Sequence, residues 1–459
     1  MSRQETIVVG DAGGAALLRR HLVMLVRLGA PVTLSRAAAL MLFVVDTAMI
    51  GWVSSLELAY FGLANAVQMV MMLIGIGMLV GTAVLTAQAL GADEPRECGR
   101  VWRVAVWHGA GLGVLFTLLA LGGESFFLAI GQDPELAAGA GQVLIVLSLG
   151  LTGQMIYIAS TLFLEALNRP RPGLVVMIAA NVANVGLNWL FIYGTFGLPE
   201  GGATGAVLAT SIVRWGIAVA LVVYILNMAD AAHYGVRGAV DGARAIGRKL
   251  RRLGYPLGLA QGLESAAFAS LTIMAGYLGP AAVAGFQITM NVVAFAFMAA
   301  VGIGTATAVR VGHAVGRHDR RDVALAGWSG LLTITAFMAV AAVVAALFPG
   351  QLLGLFTADT AVLAIAVPTL LLGAVTMIPD GAQGVLMGAL RGTGDVWVPT
   401  AMHLCSFAVV MIPGAALCAF YFELGVPGLM LGTLFGVVVA TVLLALRFRI
   451  VSRRDIRRL

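Results

Sequence analysis

Long apolar runs are the feature that most limits what this chain can fold into. Runs longer than the roughly 18 residues that suggest a transmembrane helix recur from one end of the 459-residue sequence to the other. Only 11% of the residues are charged and 60% are hydrophobic, whereas soluble domains are about a quarter charged. The runs lack the two-residue alternation of an outer-membrane barrel. The sequence therefore predicts an all-α polytopic membrane protein.

Polar or turn-rich breaks divide the apolar runs into twelve predicted membrane spans. They cover residues 28–53, 58–90, 104–122, 136–165, 173–195, 204–228, 254–277, 282–315, 323–347, 361–388, 398–421 and 427–447. Several spans are longer than the roughly 20 residues that a helix needs to cross a bilayer, so we expect them to tilt or bend.

The basic residues alternate from break to break along the chain. The odd-numbered breaks contain no Lys or Arg and are residues 54–57, 123–135, 196–203, 278–281, 348–360 and 422–426. The even-numbered breaks and both termini hold nearly all the positive charge. By the positive-inside rule, this distribution places both termini in the cytoplasm of a bacterial-type inner membrane. Anionic lipid then accounts for the net charge of +6 without a nucleic-acid partner.

An internal repeat relates the two halves of the chain. LVRLGAPVTL (25–34) resembles LRRLGYPLGL (250–259), and the same offset pairs TAV at 82–84 with TAV at 307–309. Six spans in each half predict two six-helix bundles related by a pseudo-two-fold axis along the membrane normal, an architecture typical of transporters. The predicted segments are a cytoplasmic amino-terminal segment 1–27, an N-lobe 28–228, a cytoplasmic linker 229–253, a C-lobe 254–447 and a basic tail 448–459.

Three carboxylates lie well inside predicted spans, away from the span ends: Asp46 in FVVDTAMIG, Glu264 in QGLESAAF and Asp380 in TMIPDGAQG. A charge at bilayer depth costs about 2.5–3.5 kcal/mol on insertion scales, so such residues are typical of proton or cation sites. For Asp46, the alternative is a helix-packing carboxylate bonded to Arg36 or Asn184. For Asp380, it is a Pro-Gly hinge with a capping carboxylate.

Asparagines on the fifth span are possible partners of Asp46. Asn181, Asn184 and Asn188 are spaced by three and four residues and therefore share one helix face. Their amides would hold a protonated Asp46 or help to ligate Na⁺ through oxygen. Hydrogen bonding between helices is the alternative for the asparagines alone.

Other polar residues extend the candidate cleft. Pro379 lacks an N–H and frees a carbonyl near Thr376, which favours an ion site of the broken-helix kind at Asp380. Gln287 and Asn291 share a face of the eighth span and either line the cleft or bridge helices. Two further intramembrane residues, Arg36 and Arg214, have no partner that the sequence identifies.

Enzyme motifs are missing from the sequence. It contains no H-E-x-x-H, no G-x-S-x-G and no P-loop, so we expect neither catalytic residues nor ATP-driven transport. The three cysteines form no disulfide or metal framework. We expect no cofactor apart from a coupling ion, and the alternative of a polytopic enzyme or receptor has no catalytic constellation behind it.

Several of these stretches together resemble the multidrug and toxic compound extrusion family, and its NorM-like branch in particular. The resemblance rests on PVTLSRAAALMLFVVDTAMIG, GYPLGLAQGLE, VRVGHAVG and DGAQGVLMGALRGTGD and covers roughly residues 25–450. It implies a secondary antiporter that expels drugs or organic cations in exchange for Na⁺ or H⁺, acting as a monomer in the lipid bilayer.

The resemblance also implies roles for individual residues. Asp46 with Asn184 and Asn188 matches the family's cation or proton site in the N-lobe. Glu264 and Asp380 match its C-lobe carboxylates, which are possible Na⁺ ligands. Thr376 departs from the family pattern, because it stands where an aromatic hydroxyl is expected. The alternative function is a lipid or lipid-linked oligosaccharide flippase of related architecture, which would need a basic cleft, whereas the cleft candidates here are mainly acidic.

Overall fold

Helices make up most of the part of the protein that the structure describes. The computed structural model describes residues 14–195, 199–238, 242–357 and 359–453, and no strand occurs among them. Helices satisfy every backbone hydrogen bond within the segment, as lipid requires. The all-α prediction is confirmed, while the predictions for residues 1–13 and 454–459 lie outside the described residues.

Eighteen α-helices follow one another within the described ranges. The first half contains α1 (Gly14–Gly51), α2 (Ser55–Leu79), α3 (Gly81–Gly91), α4 (Pro95–Ala120), α5 (Gly123–Ala129), α6 (Pro134–Ser148), α7 (Leu151–Ala166), α8 (Arg171–Ile192) and α9 (Gly202–Leu226). The second half contains α10 (Ala231–Tyr234), α11 (Ala243–Tyr277), α12 (Pro280–Gly316), α13 (Arg320–Leu347), α14 (Pro349–Gly354), α15 (Thr360–Thr393), α16 (Trp397–Cys405), α17 (Ile412–Ala416) and α18 (Gly425–Val451). Two π-helical turns, Ser406–Met411 and Leu417–Tyr421, join α16, α17 and the loop before α18 into one span.

Polar caps fix where several helices begin. The side chains of Ser54, Asp133 and Asp359 accept hydrogen bonds from the backbone N–H two residues further on, at the starts of α2, α6 and α15. Asp319 caps α13 in the same way by accepting from the N–H of Asp322. A side-chain oxygen at this position satisfies one of the orphan donors of a helix start.

Among the described residues, ten helical segments and one bent pair are long and apolar enough to cross a membrane. The bent pair is α6 with α7, which meet at an angle of 42°. Each of these eleven segments coincides with one predicted span. The one remaining predicted span, 254–277, lies on α11. This helix is not among the eleven segments because polar residues such as Gln261, Glu264 and Ser265 lower its hydropathy.

Some helices extend beyond the predicted spans. α1 begins at Gly14, ahead of the span predicted at 28, and α11 begins at Ala243, inside the predicted linker. Both helices continue through an internal proline, Pro31 or Pro256. Neighbouring helices can satisfy the backbone groups that such prolines free in a membrane protein.

Contacts between loops show that the even-numbered breaks lie together at one end of the molecule and the odd-numbered breaks at the other. Arg169, in an even-numbered break, pairs with Asp230 in another through hydrogen bonds of 2.9 and 2.5 Å. Arg103 likewise donates to the carbonyl of Gly238. In the odd-numbered breaks, Glu57 accepts a hydrogen bond of 2.7 Å from the N–H of Ala203. We call these two ends the basic end and the acidic end.

The hydrophobic core is divided mainly between the two halves of the chain. One buried cluster lies entirely within residues 50–207, and three others lie within residues 293–385, 267–440 and 311–448. A further first-half cluster includes side chains from the start of α11 together with Val396, and a small sixth cluster joins Ala306 and Val309 to residues of the first half. This segregation fits the two predicted bundles.

The two halves touch closely at the basic end. A Cβ added to Gly91 on α3 would lie 2.1 Å from the carbonyl oxygen of His313 on α12, so the backbones are in direct contact. Gln88 Nε2 donates to the carbonyl of Gly392 at 3.1 Å, and His313 Nε2 lies 2.8 Å from the carbonyl oxygen of Ala166. The basic end is therefore closed between the halves.

Candidate functional site: intramembrane carboxylates in each half

Asp46 is held in a closed ring of hydrogen bonds between α1, α8 and α9. It is 2% exposed. Its Oδ1 accepts from Asn188 Nδ2 and its Oδ2 accepts from Thr210 Oγ1, both at 2.6 Å. Asn184 completes the ring by donating to Thr210 Oγ1 and accepting from Asn188 Nδ2, both at 3.2 Å. Both carboxyl oxygens of Asp46 therefore act as hydrogen-bond acceptors within the ring.

One acceptor in this ring is left over. Asn188 Oδ1 is buried and has no hydrogen-bond partner among the described residues. A buried polar atom without a partner costs about 1–3 kcal/mol, so such atoms call for an explanation. This oxygen belongs to the same amide that donates to Asp46, and it would suit a proton donor or a cation shared with that carboxylate.

Arg214 lies beside the Asp46 ring. It follows Thr210 by one helical turn on α9 and therefore shares its face. Its Nη2 donates to Gln68 Oε1 and its Nη1 donates to the carbonyl of Leu147, both at 3.4 Å. Gln68 also donates to the Leu147 carbonyl at 3.3 Å, which fixes the amide that receives the guanidinium. The charges of Arg214 and Asp46 interact.

Arg36 and Asn181 have partners other than Asp46. Arg36 Nη2 lies 3.2 Å from Glu165 Oε1, and this ion pair joins α1 to the end of α7. Asn181 Nδ2 donates to the carbonyl of Ala38 on α1 at 2.9 Å. Asp46 is thus not bonded to Arg36. Asn181 makes a hydrogen bond between helices away from the carboxylate, which is the alternative role given above for the asparagines.

Glu264 and Asp380 lie together in the second half. Asp380 Oδ1 accepts a hydrogen bond of 3.0 Å from Gln383 Nε2. Gln261 Nε2 donates to Glu264 Oε2 at 3.5 Å, and His403 Nε2 lies 3.7 Å from the same oxygen. The charges of the two carboxylates interact. Both predicted site residues thus lie in the second half, separate from Asp46, and Glu264 is within electrostatic range of Asp380.

Basic groups flank this second carboxylate cluster. His403 is 6% exposed, and its ring packs on Phe407 with centroids 4.3 Å apart. Within the described part of the chain, neither nitrogen of His403 has a hydrogen-bond partner, and the same holds for Gln383 Oε1 and Arg391 Nε. The charge of Arg391 interacts with that of Glu264. Glu264 thus faces basic groups, whereas Asp380 is held by an amide.

The remaining predicted site residues lie outside the two clusters. Thr376 is buried and donates to a carbonyl of its own helix at 2.9 Å. Gln287 and Asn291 are exposed on α12, which suits a water-lined cleft better than a bridge between packed helices. The helix α15 continues unbroken through Pro379, whose carbonyl accepts from Thr441 Oγ1 at 2.8 Å. The broken-helix expectation at Asp380 is wrong, because α15 runs as one helix from Thr360 to Thr393.

Sequence reasoning missed several members of both clusters. Thr210, Gln68 and His403 are single polar residues in apolar helices, and nothing nearby in the sequence indicates their partners. Gln383 follows Asp380 by three residues on one helix, so the spacing alone would have paired them. Arg214 follows Thr210 by four residues, so the same spacing rule would have placed these two side chains next to each other.

The donor set limits how a metal ion would bind. In the described ranges, no three His, Cys, Asp or Glu side chains are close enough together to hold one. A Na⁺ ion at Asp380 and Glu264 would therefore need amide or backbone oxygens as further ligands. Gln383 Oε1 is a candidate, because it has no partner among the described residues and belongs to the amide that donates to Asp380. A proton would need only the carboxylates.

The chain matches a known family and its curated members. A family model described as MatE matches residues 31–190 and 256–417, one stretch in each half. A probable multidrug resistance protein NorM from Caulobacter vibrioides is 37% identical and covers 98% of each chain. Another from Rhodopseudomonas palustris is 36% identical and covers 95% of this chain and 93% of that protein.

Solved transporter structures share the fold. The eukaryotic MATE transporter AtDTX14 matches with a TM-score of 0.85 at 20% identity, over 95% of this chain and 98% of that one. An outward-facing MATE family transporter of the MOP superfamily also has a TM-score of 0.85, at 21% identity over 97% and 100% of the two chains. The predicted fold class is confirmed. With both halves matched by the family model and full-length relatives above 30% identity, the chain belongs to the MatE family of multi-pass membrane transporters and is not an enzyme.

Proposed function

We propose that this protein is a secondary active multidrug efflux transporter, which exports organic cations in exchange for Na⁺ or H⁺. The full-length relatives named as multidrug resistance proteins support the substrate class. The coupling ion and the residues that bind it are proposals that rest on the geometry of the two clusters.

The observation that carries the proposal is the buried ring around Asp46. A carboxylate at this depth is costly, and here two short donated bonds and an unpaired acceptor surround it. Such a group can accept a proton or a cation and release it again when its donors rearrange. Ion and cationic drug then compete for the same negative charge, and this competition is what an antiporter requires.

The closed basic end supports alternating access. Backbone contact between α3 and α12 seals the two halves against each other there. We propose that the cleft opens at the acidic end in this state, and that rocking of the two lobes opens the basic end in the other state. The basic end faces the cytoplasm in this proposal, and the protein works as a monomer in the plasma membrane.

The energetics suit this type of transport. One elementary charge moving through 100 mV releases about 2.3 kcal/mol, and each tenfold drug gradient costs about 1.4 kcal/mol. One inward cation can therefore sustain a gradient of roughly ten- to a hundredfold for a neutral drug. For a monovalent cationic drug exchanged one for one, the voltage terms cancel and the ion gradient alone drives efflux.

A flippase for pyrophosphate-linked lipids is less well supported. Such a cargo would need unneutralised basic side chains in the cleft. Arg36 instead pairs with Glu165, and the charge of Arg214 interacts with that of Asp46. The acidic character of the interior favours a cationic cargo.

Dye efflux from vesicles tests the proposal. The purified protein in proteoliposomes loaded with ethidium should export the dye under an imposed Na⁺ or proton gradient, and the effective gradient identifies the ion. Loss of the gradient should stop efflux. Efflux that neither gradient changes would refute antiport, and flipping of a fluorescent lipid in the same vesicles would favour the flippase.

A further inference from the structure

Arg214 is an intramembrane cation that the proposed transport reaction does not yet use. An arginine inside a transmembrane segment is costly to retain. Its two guanidinium contacts are to neutral groups, the Gln68 amide and the Leu147 carbonyl. Neither contact neutralises the charge of Arg214. Any role of this charge must therefore come from its effect on nearby charged groups.

The position of Arg214 directs that charge at the Asp46 ring. Thr210, one turn earlier on the same face of α9, donates the 2.6 Å bond to Asp46 Oδ2. Close packing restricts the arginine stem, since a Cβ added to Gly150 on the neighbouring chain segment would lie 3.0 Å from Arg214 Cδ. Gln68 is 1% exposed and is itself bonded to Leu147, so the acceptor of the guanidinium is also fixed.

We propose that Arg214 is a positioning residue that sets the affinity and selectivity of the Asp46 site for cationic substrates. With Asp46 ionised, the two charges oppose each other and the first-half site is close to neutral. A cationic substrate is then attracted by Asp46 and repelled by Arg214, so it binds weakly enough to leave. Once Asp46 carries the coupling ion, the positive charge of Arg214 is unopposed and repels a cationic substrate from this half.

This inference rests on the proposed efflux function, but its test measures equilibrium binding and does not depend on antiport. Removal of Arg214 should strengthen binding of a monovalent cation and leave a molecule without net charge unaffected. Two unit charges about 8–10 Å apart in a medium of effective dielectric constant near 20 interact strongly enough to change an affinity by at least about tenfold. The direction, tighter binding on loss of a polar residue, is opposite to that expected from simple damage to a site.

The test compares dissociation constants for ethidium, a monovalent cation, and for zwitterionic norfloxacin on the purified full-length protein, by fluorescence. Arg214→Gln should lower the dissociation constant for ethidium about tenfold and leave that for norfloxacin within about twofold of the wild type. Arg214→Lys keeps the positive charge and should bind both ligands as the wild type does. Gln68→Glu keeps the arginine but neutralises it with a bonded carboxylate, so it should also tighten ethidium binding. This second variant keeps the test valid if Arg214→Gln does not fold.

A matched control and a double variant complete the design. Arg447→Gln removes an equally half-buried arginine, bonded to Asp395 at 2.7 Å far from the ring, and should change neither constant. In an Asp46→Asn background, Arg214→Gln should still tighten ethidium binding and leave norfloxacin binding unchanged, because Arg214 repels the dye directly and is then unopposed. Equal changes for both ligands, a Lys variant that behaves like the Gln variant, or no tightening of ethidium binding in the Asp46→Asn background would overturn the proposal.

Discussion

A single methyl group at the closed basic end should shift the protein between its two access states. A Cβ at Gly91 would lie 2.1 Å from the carbonyl oxygen of His313, while ordinary van der Waals contact begins near 3.4 Å. The Gly91→Ala variant can reach that distance only if α3 and α12 separate by about 1.3 Å, because the obstructing atom is backbone. Overpacking of this kind costs about 1–3 kcal/mol. The cost falls only on the closed state, so its population relative to the open state should fall by roughly 5- to 150-fold.

Distance measurements between spin labels on the two lobes would detect this shift. Labels at the exposed residues Arg171 and Trp397 lie near the basic end on opposite halves of the chain. Gly91→Ala should move the distance distribution to longer values and lower the efflux rate. The control is Gly62→Ala on α2, where an added Cβ meets no atom within 4 Å. A Gly91→Ala distribution that matches the wild type, in a folded protein, would refute the idea that this contact closes the basic end.

Four further predictions concern the carboxylates and the topology. Asp46→Asn should abolish ion-driven dye efflux while leaving membrane insertion intact, because the amide cannot carry the charge that the Asn188 and Thr210 bonds stabilise. Asp380→Asn should uncouple transport, so that efflux no longer responds to the ion gradient in the vesicle assay. The Arg169 guanidinium holds the pKa of Asp230, in the loop after α9, below its usual range; Asp230→Asn should therefore lower the melting temperature at pH 7 but have little effect once the pH falls below the lowered pKa. A reporter inserted in the linker 229–253 should report the cytoplasm.

Each of these predictions has a control and a contrary outcome. Asp93→Asn is the matched carboxyl-to-amide control for transport, since Asp93 is exposed and asparagine tolerates its positive φ of 60°. Full efflux by the Asp46 variant would remove that residue from the mechanism, and an unchanged gradient response would reduce Asp380 to a structural role. The Asp230 pair is partly exposed, so its contribution at neutral pH should stay near 1 kcal/mol or below. A destabilisation that persists undiminished in acid would exclude the ion pair as its cause, and a periplasmic reporter signal would overturn the topology.

Spans and repeats were predictable because they depend on local pattern. Hydropathy follows directly from which side chains meet lipid, and it placed helices at all twelve predicted spans. The limit of this rule is visible in α11, where Gln261 and Glu264 face the protein interior and reduce the very hydropathy by which spans are recognised. The apolar run at 254–277 was still recognisable between its two breaks, and the repeat and the alternation of basic breaks support a span there.

The candidate site was predictable within a helix and hidden between helices. The spacing of Asn184 and Asn188 gave one face, and the structure places both in the ring with Asp46. Thr210 comes from a different helix, and its register against α1 is fixed by packing that no local pattern encodes. Arg36 illustrates the same point, since its partner Glu165 lies 129 residues away in sequence and the choice between it and Asp46 depends on helix rotation.

The arrangement of internal charge suggests how the two halves divide their work. In the first half, Asp46 is opposed by the charge of Arg214, and in the second half Glu264 is opposed by that of Arg391. Asp380 instead has an amide as its hydrogen-bond donor and the like charge of Glu264 nearby. Carboxylates without an opposing cation gain most from binding one, because like charges close together cannot easily both stay ionised. In the proposed mechanism, the second half favours retention of a coupling cation and the balanced first half favours rapid exchange, and an antiporter needs both properties within one cycle.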